Sequence, residues 1–131
     1  MTANAAYRIM DHETWPEKNE VCKGEFKPRT RSIEVGSTQR PSFWIKCGGE
    51  IRVEFHYALT QRPDGLIAVT EGLVELYEGA TTNTDELGGS SAFEHKLIWP
   101  GQSVSWQIHV QNWRDGEPDD KADVTFTVRN W

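Results

Sequence analysis

Five carboxylates crowd into nine residues near the C-terminal end of this chain: Asp115, Glu117, Asp119, Asp120 and Asp123. Calcium takes six to eight oxygen ligands, and loops at one end of a β-structure can supply them, so these five are the candidate metal ligands, with Asp85 and Glu86 as possible additions. The order D-G-E-P-D-D-K-A-D matches no strict calcium signature such as the EF-hand loop, and a solvated hairpin tip is the plain alternative. Beside this loop stand Gln111, Asn112 and Trp113, which with Trp44 make a candidate ligand-binding set. Exposed indoles stack on the C–H faces of sugar rings, and neighbouring amides and carboxylates bond the hydroxyls. Six tryptophans in 131 residues are more than a core of this size needs. Trp99 and Trp106 follow the apolar pattern and are expected inside, whereas Trp44 falls opposite Phe43 and Ile45 and is expected outside.

Histidine offers a second metal chemistry. Glu54 and His56 share one outward strand face, and His109 lies on the polar face of another strand, so a surface zinc site requires those strands to be neighbours. His95 shares parity with Phe93 and Leu97 and is expected to be partly buried. Nucleophilic catalysis finds no support: there is no G-x-S-x-G, H-E-x-x-H, C-x-x-C or glycine-rich phosphate loop. A glycosidase needs only two carboxylates about 5–9 Å apart, but here the inward positions are apolar and the acids sit in loops. No enzymatic activity is expected.

The elements that must position these residues are strands. Val104, Trp106, Ile108 and Val110 alternate with Ser105, Gln107 and His109, and the same parity returns in Ala122, Val124, Phe126 and Val128. A period of two gives a strand with one dry face. Earlier, Phe43, Ile45 and Cys47 alternate with Trp44 and Lys46, and Ile51, Val53, Phe55, Tyr57 and Leu59 alternate with Arg52, Glu54 and His56. Arg62-Pro63-Asp64-Gly65 is a turn. The long stretch from Leu66 to Glu78 loses its parity at Glu71-Gly72, as a β-bulge would cause. Residues 79–91 read as a long loop, and residues 1–30 as an irregular arm anchored by Tyr7, Ile9 and Trp15.

Seven or eight short strands, with no amphipathic helix of ten residues, predict an all-β antiparallel sandwich whose topology (jelly-roll, Ig-like or C2-like) the pattern leaves open. The expected organisation is one domain over residues 1–131, with the arm at 1–30 and the sandwich core at 31–131. Cys22 and Cys47 are compatible with one disulfide or with two reduced thiols.

A net charge of −6 argues against binding nucleic acid or anionic membranes without a specific patch. Charge is uneven: residues 23–40 carry five cations against two acids, +3, and residues 114–123 carry five acids against two cations, −3. There is no secretory leader in the N-terminal residues and no membrane span, which predicts a soluble chain of undecided compartment. The functional expectation is a non-catalytic, lectin-like recognition module that binds its ligand through loops 79–91 and 111–123 at one end of the sandwich and through exposed tryptophans, with carbohydrate as first ligand and calcium as a possible cofactor. One alternative is a protein–protein module such as an inhibitor, an immunity-type partner or a toxin component, steered by its oppositely charged ends; a second is a small hydrolase using two loop carboxylates.

Overall fold

The computed structural model describes residues 1–11, 20–26, 32–47, 51–78, 86–112 and 120–131. Its strands are β1 (Thr2–Asp11), β2 (Glu20–Phe26), β3 (Thr38–Gln39), β4 (Ser42–Cys47), β5 (Ile51–Gln61), β6 (Ile67–Glu78), β7 (Glu86–Phe93), β8 (Lys96–Ile98), β9 (Ser103–Gln111) and β10 (Lys121–Arg129). Two antiparallel sheets form a β-sandwich. The first runs β2-β1-β10-β9. The second is built on the β5–β6 hairpin, with β3 and β4 sharing the outer edge of β5, and β7 and β8 sharing that of β6. Among the described residues no helix is long and apolar enough to cross a membrane.

Alternation delivers the core. Phe43, Ile45, Val53, Phe55, Trp106, Ile108, Phe126 and Val128 all turn inward, as their parity predicts. Phe126 is the hub, with Phe43, Phe55, Tyr57, Phe93 and Trp106 at ring-centroid distances of 4.9–6.5 Å. Burying each such side chain contributes about 1.5–3 kcal/mol, and each well-placed aromatic pair about 0.5–1.5 kcal/mol more. The Trp106 indole also donates to the Glu94 carbonyl at 2.8 Å, so its polar edge is satisfied.

Where the expected irregular arm is described, it is strand: β1 lies in the middle of its sheet, hydrogen-bonded to β10 on one side and β2 on the other. Its inward residues are Ala3, Ala5 and Ile9, and alanine's small side chain and weak strand preference hide the alternation. Ile9 is buried and Tyr7 packs on the core, while Trp15 lies outside the described residues. Nor is all of 79–91 a loop, since β7 begins at Glu86. The chain also changes parity at Glu94-His95, between β7 and β8. Phe93 packs on the core, yet Leu97 and Trp99 emerge at 54% and 55% exposure and His95 is exposed, contrary to expectation.

Cys22 of β2 and Cys47 of β4 form a disulfide, Cα–Cα 5.8 Å, linking an edge of one sheet to an edge of the other. Phe26 stacks on Phe43 beside it, centroids 4.5 Å apart.

Candidate functional site

The chemistry gathers on the outer face of the second sheet. On β4 the buried residues are Phe43, Ile45 and Cys47, which turns Trp44 and Lys46 outward; on β5 the same rule turns out Arg52, Glu54 and His56. Pairing register then sets rows across three strands: Trp44, Glu54 and Glu75 in one, and Lys46, Arg52 and Tyr77 in the next.

Glu75 and Tyr77 reach this face only because β6 contains a bulge. Glu71 and Gly72 together oppose Tyr57, and Glu71 takes a left-handed φ of 54°. Before the bulge the odd residues Ile67 and Val69 are buried; after it the even residues Val74 and Leu76 are. The extra residue restores the dry face and sends odd-numbered Glu75 and Tyr77 outward. Gly72 fits this step because any Cβ there would lie 2.4 Å from the Phe93 ring.

His56 Nε2 lies 3.1 Å from a Glu75 carboxylate oxygen and 3.7 Å from one of Glu54. The imidazole is 39% exposed as a whole, but Nε2 itself is shielded from solvent and makes no aligned hydrogen bond, despite its proximity to Glu75. Each glutamate spends its second oxygen elsewhere. Arg52 Nε approaches Glu54 Oε1 at 3.3 Å, and the Tyr77 hydroxyl donates to Glu75 Oε2 at 3.1 Å. Arg52 also lies over the Tyr77 ring, 4.8 Å from its centroid. Burial first, and then the hydrogen bond to Glu75, push the Tyr77 phenol up to about 12, so it remains a neutral donor at ordinary pH. Beside this cluster Trp44, 58% exposed, borders a cleft of about 120 Å³ with Lys46, Arg52 and Glu54.

Other residues expected to act together lie apart. Gln111 follows buried Val110 and lies on the outer face of the first sheet, so Trp44 and Gln111 are on opposite sides of the sandwich. Asn112 is buried against Gly88, and its backbone N–H donates to the Asp120 carbonyl at 2.9 Å. Trp113, Asp115, Glu117 and Asp119 lie outside the described residues, as does Asp85. Of the expected calcium ligands described, Asp120 is buried, while Asp123 is exposed and bonded to His109 Nδ1 at 2.7 Å. His109 is therefore across the sandwich from His56, and their strands are not neighbours. A wider hollow of about 380 Å³ lies over His109, Asp123, Gln107 and Thr125 but carries no aromatic platform. Because His109 Nε2 is taken up by Gln111 Oε1 at 3.2 Å, this histidine does not offer a free base to a nucleophile.

Arg52, Glu54 and His56 are legible as face-mates in the sequence; Glu75 and Tyr77 are not legible as their partners. The loss of parity at Glu71-Gly72 was the signal that the residues after it change face. No protein-family model, curated protein or solved structure matches this chain. The functional reading therefore rests on the chemistry of its surface.

Proposed function

We propose that the protein is a non-catalytic recognition module that binds carbohydrate on the outer face of β4–β6, with Trp44 as the stacking platform. The observation that carries this reading is an indole 58% exposed in the middle of a regular strand, beside Lys46, Arg52 and Glu54. A strand-borne tryptophan is already ordered, so stacking a sugar on it costs little entropy. The flanking cations donate to ring hydroxyls and Glu54 accepts from them, which gives orientation as well as affinity.

Calorimetric titration with a panel of oligosaccharides tests it. Binding by the wild-type chain should weaken at least about tenfold in Trp44→Ala, a loss of ~1.4 kcal/mol. It should persist in Trp99→Ala, which removes an equally exposed indole outside the cleft. An inert panel, or binding indifferent to Trp44, refutes the proposal.

A protein partner is the second reading, favoured by the exposure of Leu97, Trp99 and Trp131 at 54%, 55% and 64%. Trp99 and Trp131 directly follow Ile98 and Asn130, and the Asn130 side-chain amide donates to the Ile98 carbonyl at 2.8 Å. Large exposed apolar side chains gathered near one junction are typical of protein interfaces.

A further inference from the structure

We propose that Glu54, His56 and Glu75 form a binding site for one divalent cation of the zinc class. This site stands whether or not Trp44 binds a sugar, because its ligand atoms are those of the three side chains alone.

Distance makes the first argument. One ligand atom from each residue lies within 4.8 Å of the other two. A tetrahedral ion with bonds of about 2.1 Å holds its ligands about 3.4 Å from one another. The His56 Nε2 to Glu75 and Glu54 separations, 3.1 and 3.7 Å, bracket that edge, so small side-chain rotations would complete the geometry.

Orientation makes the second. Arg52 forms an ion pair with one oxygen of Glu54 and the Tyr77 hydroxyl donates to one oxygen of Glu75, which leaves the other oxygen of each beside the histidine. Outer partners that fix a carboxylate in this way are a regular part of metal sites, because they remove the entropy of arranging the ligands. The third argument is His56 Nε2 itself, which is shielded from solvent, close to two carboxylates and without an aligned hydrogen bond. A neutral imidazole presents a lone pair there, and a cation between the three groups would satisfy it along with both oxygens.

Ligand type selects the ion. One imidazole and two carboxylates suit zinc and its neighbours, whereas calcium requires six or more oxygens. Three protein ligands leave a fourth position for water or an anionic ligand. The competing arrangement is a metal-free triad in which a protonated His56 pairs with both glutamates.

Titration of the chelator-treated full chain with Zn²⁺ by calorimetry, and with Co²⁺ by visible absorption, separates the two. One equivalent should bind, with the intense visible bands of four-coordinate Co²⁺. His56→Gln and Glu75→Gln should each weaken binding at least about tenfold, and Tyr77→Phe should weaken it less, since that change leaves every ligand in place. His109→Gln and Trp44→Ala should bind as the wild type does; unaltered metal binding in Trp44→Ala also keeps this test separate from that of sugar binding. Circular dichroism confirms that each variant is folded, and Tyr77→Phe carries the test if a ligand variant is not. The proposal is overturned if the wild-type chain binds neither ion, or if binding survives unchanged in both His56→Gln and Glu75→Gln.

Discussion

His109 shows how a surface pair can set a pH dependence. Its Nδ1 faces Asp123 at 2.7 Å and its Nε2 faces Gln111 Oε1 at 3.2 Å, so both ring nitrogens point at acceptors and the doubly protonated ring satisfies both. The hydrogen bond to Asp123 is the main cause that raises the His109 pKa above its usual 6.5, opposed by partial burial and by Lys121. The folded state therefore holds the proton more tightly than the unfolded chain does. The resulting stability is fully present below about pH 6.5 and is lost as pH rises through the higher folded value. His109→Gln should lose this component, so the difference in melting temperature between wild type and variant should be larger at pH 5.5 than at pH 8.5. Because both side chains are about half exposed, salt will screen the effect, and the whole of it belongs at the small end of surface ion pairs. A difference that is constant across the range, or that grows with pH, would contradict the assignment. The sequence placed His109 on a polar strand face; it did not reveal Asp123 as its partner, because that depends on the β9–β10 register.

At the scale of the element, legibility followed side-chain size. Strands β4, β5, β9 and β10 carry bulky apolar residues at every second position, and their dry faces could be read directly. The strand β1 uses alanines and β7 reads ELGGSSAF, so neither offers the contrast on which periodicity depends. Glycine in β7 has a packing cause. A Cβ on Gly89 would stand 1.9 Å from the backbone oxygen of Gln111 in the opposite sheet, while one on Gly88 would meet the Asn112 side chain at 2.9 Å. Ser91 then donates to the His109 carbonyl at 2.6 Å, bringing the β7 edge against β9. Gly89→Ala must push two backbones apart and should cost about 3 kcal/mol, the upper end of the overpacking range; Gly88→Ala meets the buried Asn112 side chain at a longer distance and should cost less, about 1–2 kcal/mol. Urea denaturation of the two variants measures the difference, and equal costs would remove the backbone approach as the reason for glycine at position 89. Such a contact joins residues far apart in sequence, which is why a glycine pair there resembles a loop until the opposite sheet is in place.

Across the whole molecule, the two sheets are fastened along both edges by different means. On one side β7 lies against β9 through glycine and serine; on the other the Cys22–Cys47 disulfide ties β2 to β4. Parity pointed Cys47 inward, but two cysteines alone could not say whether they met, since that depends on how the sheets stack. The bond closes a loop with a sequence separation of 25, and chain-entropy arguments give such a loop ~3.5 kcal/mol of stabilisation through the unfolded state. The aromatic cluster around Phe126 does not depend on that bond, so the reduced protein should remain a sandwich of lower stability rather than a disordered chain. Cys22→Ser/Cys47→Ser should lower the melting temperature by on the order of 10 °C and keep the far-ultraviolet dichroism of the wild type. Reducing agent should do the same to the wild type and nothing further to the double variant. Loss of all β-signal would mean that the disulfide, and not the apolar core, holds the sheets together; a shift below about 2 °C would mean that the clasp adds little to a core that already fixes the sheets.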